Sequence, residues 1–238
     1  MIDLAQAVVV VPAHNEAQHL PCCLRALATA AICLRVPVLR VVVLDACDDG
    51  SEQLAGQFGP DVHFVSVDAG NVGAARAAGF TYARSACSAV PAARTWYATT
   101  DADNTVSANW LLRMTATDAD MVLGVVRVAA WRHYPAEVAR RYLRLYHSNG
   151  PSHNHIHGAN MGFRADAYWR VGGFRALSPG EDVELVQRFE GAGMRIHRDS
   201  KLLVATSDRR EGHAPGGLAA HLRELSGTVF RRPTGEHA

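Results

Sequence analysis

The chain has 238 residues, of which 48% are hydrophobic and 20% are charged, and its formal net charge is +1. This composition is that of a globular protein rather than a disordered or fibrous one, and the near-neutral charge gives no basis for nucleic acid or an anionic membrane as the main partner. No stretch reaches the roughly 18 apolar residues that span a bilayer. Five cysteines without Cys-x-x-Cys spacing indicate free thiols, so we expect a cytoplasmic protein.

Buried-strand and helical patterns alternate in the first half of the chain. Strands are predicted at 7–11, 39–45, 62–68 and 95–101, and helices at 16–31 and 70–86. Strands separated by helices are typical of βαβ units, whose strands run parallel, and continuously apolar strands fit a sheet that is covered on both faces. The sequence therefore predicts an α/β fold with a doubly wound, mainly parallel central sheet flanked by helices.

The second half of the chain is less regular. Helices are predicted at 107–116, 135–148 and 180–193, a strand at 120–130, and one or two strands within 195–208. A polar loop rich in histidine covers 149–158. Neither an internal repeat nor a low-complexity linker interrupts the chain, so a single domain is the simplest prediction.

Polar residues follow each of the first four predicted strands, where an open α/β sheet binds its ligands. They are Pro12, Ala13, His14, Asn15 and Glu16 after the first strand, Asp45, Asp48 and Asp49 after the second, Asp68, Gly70 and Asn71 after the third, and Asp101 and Asp103 after the fourth. Asp45 directly follows an apolar strand and can accept hydrogen bonds from a ligand. Gly70 and Gly73, with Arg76, can bring backbone amides and a guanidinium to a phosphate. Each cluster alone could be a cap or a turn, but four in succession indicate a ligand site.

Asp101 and Asp103 are separated only by Ala102. On an extended chain two such side chains point the same way, so their like charges need compensation, by a divalent cation or by water. Mg²⁺ and Mn²⁺ prefer hard oxygen ligands and often bind through one or two carboxylates, with substrate phosphates completing the shell. The alternative is a solvated turn, in which Asp and Asn are common. The tripeptide alone leaves both possibilities open.

Glu181 and Asp182 begin a predicted helix directly after the turn sequence Ser178-Pro179-Gly180. Acidic residues favour the first turn of a helix, which is one explanation of the pair. The other is a general base, with Asp182 taking a proton from an attacking hydroxyl.

Two further groups of residues are given structural rather than chemical interpretations. The histidines His147, His153, His155 and His157 have no cysteine nearby, so their spacing does not favour a structural zinc site. The aromatic residues Trp131, Tyr168 and Trp169 are predicted to pack in the interior.

Six stretches, taken in order, resemble the family 2 glycosyltransferases with a GT-A fold. They are VVVPAHNEAQHLPCCLRAL, VVVLDACDDGS, GNVGAARAAGF, TTDADN, HGANMGFRADAYWRVGGF and GEDVELVQRF, and they span about residues 7 to 190. The resemblance implies one GT-A domain over 1–238, with a nucleotide-sugar-binding half at about 7–105, an acceptor-binding and catalytic half at about 106–210, and a tail at 211–238. It also implies transfer of a sugar from a nucleoside-diphosphate sugar to an acceptor hydroxyl.

On the donor side, the resemblance assigns residues to the nucleotide and to a metal ion. Pro12, Ala13, Asn15 and Glu16 correspond to residues around the base and ribose, Asp45 to the acid that recognises the base, and Arg76 to a basic residue near the nucleotide. Asp101, Ala102 and Asp103 correspond to the motif that holds Mn²⁺ or Mg²⁺ and the diphosphate, with Asp103 as a direct ligand. His213 corresponds to a third metal ligand, with Arg209 and Arg210 beside the diphosphate.

On the acceptor side, Gly158, Asn160 and Glu181 correspond to residues that face the acceptor, and Asp182 corresponds to the catalytic base of inverting members. Retaining enzymes share the fold and the paired aspartates, so the resemblance leaves the stereochemical outcome open. Many members have Asp-Asp-Gly-Ser where this chain has Asp45-Ala46-Cys47-Asp48-Asp49, which leaves the base open too. The sequence lacks the basic C-terminal motif and the transmembrane helices of processive synthases, which favours transfer of a single sugar.

Three other functions compete with this interpretation. A sugar-phosphate nucleotidyltransferase generally has a glycine-rich loop with Lys or Arg after the first strand, where this chain has Pro12 to Glu16. A nicotinamide dehydrogenase would need Gly-x-Gly-x-x-Gly at that position. A degenerate module that binds nucleotide without turnover is disfavoured because both acidic pairs, Asp101-Ala102-Asp103 and Glu181-Asp182, are present.

Overall fold

A computed structural model describes residues 3–147, 154–209 and 218–230 of the chain. Its strands are β1 (Gln6–Ala13), β2 (Val38–Asp45), β3 (Val62–Val67), β4 (Thr95–Thr99), β5 (Thr105–Val106), β6 (Met121–Val128), β7 (Met161–Arg164) and β8 (Ile196–Thr206). Its helices are α1 (Leu20–Leu34), α2 (Val72–Ala86), α3 (Trp110–Thr115), α4 (Ala136–His147), α5 (Ala165–Arg170), α6 (Glu181–Gly191) and α7 (Leu218–Phe230). The predicted α/β class is confirmed.

The strands form one eight-stranded sheet in the order β3-β2-β1-β4-β7-β6-β8-β5. The first four strands in this order run parallel to one another, and β7 runs antiparallel to both β4 and β6. Strands β6 and β8 are again parallel, whereas the short β5 is antiparallel to β8. The carboxyl ends of β1, β2, β3 and β4 therefore meet at one edge of a mainly parallel sheet, which is where the predicted polar clusters lie.

Apolar side chains cover both faces of the sheet because successive residues of a strand point to opposite sides. In β1, Val9 and Val11 pack with α1 and α3 on one face, whereas Val8 and Val10 pack with α2, α5 and α6 on the other. Tyr168 belongs to the second of these cores, with Trp169 packed against it. A smaller core between α4 and α7 includes Trp131 at its edge. The three aromatic residues thus have the packing roles that the sequence predicts.

Helix α1 begins at Leu20, four residues later than predicted. The intervening residues form a turn in which the N–H of Ala17 donates to Asp49 Oδ2 at 2.7 Å, and Asn15, just before this turn, adopts a left-handed conformation with φ of 55°. The side chain of Asn15 accepts a hydrogen bond from the backbone N–H of Asp48 at 2.9 Å, and this contact ties the end of β1 to the loop after β2. The prediction failed because a tertiary contact holds these residues outside the helix, although their propensity allows helix.

Among the described residues, no helix is both long and apolar enough to cross a membrane. All five cysteines are free thiols, as predicted.

Candidate active site

A cavity of about 870 Å³ opens at the carboxyl ends of the parallel strands. Most of the residues selected from the sequence line it: Pro12, Ala13, Glu16, Asp45, Arg76, Asp101, Ala102, Asp103, Gly158, Glu181 and Asp182. Asn15 and Asn160 are not part of its wall, and His213 lies outside the described residues. Residues from both halves of the chain thus converge on one cavity, although they are up to 170 positions apart in sequence.

Asp45 anchors the loop that follows β3. Its Oδ1 accepts hydrogen bonds from the backbone N–H groups of Ala69 and Gly70 at 2.8 and 2.9 Å, and its Oδ2 accepts one from Asn71 at 2.8 Å. Two carboxylate oxygens can accept about four hydrogen bonds, so little of the acceptor capacity of Asp45 is left for a ligand. The carboxylate of Asp45 therefore acts mainly within the protein, where it orders the loop that leads into α2.

Asp101 and Asp103 lie in a turn beyond the end of β4, closed by a hydrogen bond from the N–H of Asn104 to the carbonyl of Asp101 at 3.1 Å. The expectation that the two carboxylates lie on an extended chain is therefore wrong. Asp101 Oδ1 accepts a hydrogen bond from Arg76 at 2.8 Å, whereas Asp103 Oδ2 accepts one from Ser207 Oγ at 2.7 Å. The turn directs the two side chains to different partners. Arginine side chains compensate their negative charges, and Arg76 supplies the first of these.

Arg209 supplies the second of these compensating charges. Its Nε lies 3.4 Å from Asp103 Oδ2, and its Nη1 donates to Glu16 Oε1 at 2.5 Å. The pKa of Arg209 is raised, because although its burial lowers the value, the charges of Asp103 and Glu16 outweigh that effect. The end of β1, the turn after β4 and the segment after β8 are thereby joined by one buried ion-pair network.

The side chain of Asp101 is 40% exposed, yet its surroundings raise its pKa. Burial is the largest cause that raises its pKa, the guanidinium of Arg76 offsets part of this shift, and the nearby charge of Asp103 adds to it. A carboxylate with a raised pKa and a like-charged neighbour gains stability from any additional positive charge. Asp101 and Asp103 therefore remain a pair of like-charged groups in the cavity wall.

Asp182 is oriented by two backbone amides. Its Oδ2 accepts a hydrogen bond from the N–H of Gly158 at 2.8 Å, and its Oδ1 accepts one from the N–H of Val183 at 2.7 Å. The helix α6 begins one residue earlier, and it is preceded by Gly180 with φ of 100°, a conformation that favours glycine. The carboxylate is thus fixed at the cavity wall, with acceptor capacity left on both oxygens.

The resemblance implied that Asn160 faces the acceptor, but its side chain lies in the interior of the protein. It is fully buried; its Nδ2 donates to the carbonyls of Val125 and Leu202 at 2.9 and 2.8 Å, and its Oδ1 accepts from Trp110 Nε1 at 2.9 Å. A Cβ on Gly124 would lie only 2.3 Å from this Nδ2. The amide group joins β6, β8 and α3, so its role in the fold is to satisfy buried polar groups.

We expect Asn160→Ala to lower the free energy of unfolding by about 3 kcal/mol, because two carbonyls and an indole N–H lose their buried partner. Urea denaturation measures this change. The matched control is Asn154→Ala, whose side chain is exposed and lies outside the helices and strands, with an expected change within about 0.5 kcal/mol. Equal effects of the two substitutions would contradict the structural role.

Ser207, which donates a hydrogen bond to the cavity residue Asp103, is a residue that the sequence did not indicate. Its only local signal is its position directly after β8, two residues before Arg209. Of the loop histidines, His155 and His157 line the cavity with stacked rings 5.7 Å apart, whereas His153 lies outside the described residues. Within the described part of the chain, no three histidine, cysteine, aspartate or glutamate side chains form a group that could hold a metal ion.

Two solved structures illustrate the likeness of this fold to known enzymes. The S. aureus TarS 1–349 structure with UDP-GlcNAc has a TM-score of 0.65 and 15% identity, and the match covers 98% of this chain and 68% of TarS. The mannosyltransferase PcManGT from Pyrobaculum calidifontis, with GDP-Man and Mn²⁺, has a TM-score of 0.63 and 17% identity, covering 96% of this chain and 71% of the other. At these low identities, the TM-scores establish a shared fold, that of GT-A glycosyltransferases.

The sequence itself provides the evidence for the family. No curated protein matches it at a significant level. Residues 8–172 nevertheless match the glycosyl transferase family 2 profile, and this range covers more than half of the chain, including β1, the Asp101–Asp103 turn and β7. The chain therefore belongs to glycosyl transferase family 2 and is a glycosyltransferase.

Proposed function

We propose that the protein transfers a single sugar from a nucleoside-diphosphate sugar to an acceptor hydroxyl, with a divalent cation at the donor and inversion at the anomeric carbon. The observation that carries the proposal is a single cavity whose wall includes Asp101, Asp103 and Asp182. In this proposal the donor binds to residues of about 7–105 and the acceptor to residues of about 106–210. The bound sugars of the two similar structures, UDP-GlcNAc and GDP-Man, support a nucleotide-sugar donor.

The donor-side chemistry fits Mn²⁺ or Mg²⁺. Arg76 contacts Oδ1 of Asp101, and Ser207 and Arg209 contact Oδ2 of Asp103. The other oxygen of each aspartate accepts no hydrogen bond from the described residues. Two hard oxygens of this kind are what these ions need from a protein when phosphates complete the shell. A divalent cation held by Asp101 and Asp103, with His213 as a further candidate ligand, would neutralise the charge that develops on the leaving diphosphate.

The reaction that follows from these positions is a direct displacement. Asp182 accepts the proton of the acceptor hydroxyl while the hydroxyl oxygen forms a bond to the anomeric carbon. The bond between that carbon and the diphosphate oxygen breaks, and the electron pair leaves with the nucleoside diphosphate. Arg209 lies at the cavity wall beside Asp103 and stabilises this negative charge most strongly in the transition state. One displacement of this kind inverts the configuration.

A panel of nucleotide sugars tests the proposed function. With Mn²⁺ present, one UDP-, GDP- or dTDP-sugar at about 100 times its Kd should raise Tm by about 5 °C, and chelation of the metal should reduce the shift. The same sugar should then release its nucleoside diphosphate slowly in water. Pyrophosphate release from a nucleoside triphosphate and a sugar phosphate would identify a nucleotidyltransferase instead. A thermal shift without release, with every acceptor class tested, would identify a module that only binds nucleotide.

A further inference from the structure

Arg76 on α2 is a buried cation held between two carboxylates from distant parts of the chain. Only 3% of the residue is exposed. One terminal nitrogen donates to Asp101 Oδ1 at 2.8 Å, and the other contacts Glu181 Oε1. Burying a guanidinium is costly unless it is paired and hydrogen-bonded, so both contacts are needed to keep this side chain inside the protein.

The two carboxylates belong to different elements, and both contact the same residue of α2. Asp101 belongs to the turn after β4, and Glu181 is the first residue of α6. The packing between α2 and α6 is tight at this point, because a Cβ on Gly73 would lie 2.1 Å from the carbonyl oxygen of Arg175 and 3.0 Å from Cβ of Glu181. The first turn of α2 therefore holds the start of α6 at a fixed distance from the turn after β4.

The guanidinium also supports the peptide that orients Asp182. A Cβ on Gly158 would lie 2.7 Å from Cζ of Arg76, so the guanidinium packs directly on this backbone. The N–H of the same Gly158 donates to Asp182 Oδ2. Arg76 thus positions Asp182 in two ways. It supports the Gly158 peptide that donates to Asp182, and it binds Glu181, the residue before Asp182.

The charges around Arg76 keep it fully ionised. Burial lowers its pKa, but the charges of Asp101, Glu181 and Asp182 outweigh this effect and leave the pKa raised. Phe174 lies beneath the guanidinium, with 5.7 Å between Cζ and the ring centroid. Each terminal nitrogen contacts a carboxylate and only 3% of the residue is exposed, so little of the guanidinium is open to a diphosphate.

We propose that Arg76 is a positioning residue, which holds Asp101 on the donor side and Asp182 on the acceptor side at a fixed separation and does not bind the nucleotide. This inference rests on the proposed function and replaces the nucleotide contact that the sequence resemblance implied for Arg76. A loss of this separation would misplace the acceptor oxygen relative to the anomeric carbon without removing a direct contact between the protein and the nucleotide. Small misplacements of reacting groups cost about 100-fold in rate.

The test compares Arg76→Met and Arg76→Lys with the matched control Arg84→Met, an exposed arginine two turns further along the same helix. We expect kcat to fall by about 100-fold in Arg76→Met and by about tenfold in Arg76→Lys, which keeps the charge but not the fork of two donors. The Kd for UDP or GDP, whichever the wild type binds, is measured in EDTA so that no metal links Asp101 to the nucleotide, and it should stay within about threefold of the wild-type value under the same conditions. Arg84→Met should behave as wild type.

A loss of nucleotide affinity in parallel with kcat would overturn the proposal, because it would identify Arg76 as a nucleotide ligand. A wild-type kcat in folded Arg76→Met would overturn it too. If wild-type protein transfers no sugar from any donor, the proposed function has failed, which is a distinct outcome.

A double-mutant cycle covers the case in which Arg76→Met folds poorly. Arg76→Met leaves the buried carboxylate of Glu181 without its partner, and Glu181→Gln leaves Arg76 paired with Asp101 alone, whereas the double variant removes both members of the Arg76–Glu181 pair. We expect the double variant to unfold at a higher urea concentration than Arg76→Met alone. Additive losses would show that the two residues are not coupled and would reject Arg76 as a positioning residue.

Discussion

Asp182→Asn is expected to lower kcat by about 10³-fold, because an amide cannot accept the proton of the acceptor hydroxyl. The single carbonyl oxygen of asparagine can keep the hydrogen bond of Gly158 and gives up that of the exposed Val183 N–H, so the loop at Gly158 should keep its position. The Kd for the nucleoside diphosphate should therefore stay within about threefold of the wild-type value. Steady-state kinetics with the donor found in the nucleotide-sugar panel, together with calorimetric titration of the nucleotide, measure both quantities.

The matched control for this substitution is Glu190→Gln, which removes a carboxylate from the same helix. Glu190 is exposed and lies outside the cavity wall, where it contacts Arg198 at 3.3 Å. Its kcat should equal that of the wild type. An unchanged kcat in Asp182→Asn would reject the base, and a loss of nucleotide binding would assign Asp182 to the donor site.

Asp103→Asn should have the second large effect, a loss of about 100-fold in transfer rate at saturating donor. The substitution removes the negative charge that attracts a cation but retains a carbonyl oxygen that can accept from Ser207. We expect the Mn²⁺ concentration for half-maximal rate to rise as well, because a neutral amide is a weaker ligand for a hard cation. Chelation with EDTA should abolish transfer by the wild type, and added Mn²⁺ should restore it.

Asp61→Asn is the control for charge alone. Asp61 is exposed and precedes β3, so it lies at the opposite edge of the sheet from the cavity. The variant should keep the wild-type dependence of rate on Mn²⁺. If Asp103→Asn also keeps that dependence, or if EDTA leaves wild-type transfer unaffected, the assignment of the metal to this turn is wrong.

The location of the cavity was predictable because it follows from the order of strands and helices. Parallel βαβ units bring the carboxyl ends of successive strands to one edge, so the residues after β1, β2 and β4 had to be neighbours. Local patterns also fixed the start of α6, where Gly180 precedes an acidic first turn. Asp101, Asp103 and Asp182 were accordingly found without knowledge of any long-range contact.

The partners of those carboxylates were not predictable. Asp101 pairs with a residue 25 positions earlier and Glu181 with one 105 positions earlier, and both partners are the same guanidinium, that of Arg76. Ser207 reaches Asp103 across 104 positions. No periodicity or spacing in the sequence encodes such pairs, since each depends on where whole elements pack.

Asn160 illustrates the same limit within the sheet. As a polar residue in a glycine-rich loop before β7, it has the local signature of a binding residue. Its side chain is instead buried between β6 and β8, because β7 inserts antiparallel between β4 and β6. By itself the sequence determined the α/β class, the edge of the sheet at which the cavity opens and the acids that line it, since these follow from local periodicity and chain order. Only the tertiary structure decided which acids are paired, anchored or available, because pairing depends on distances between elements that are far apart in sequence.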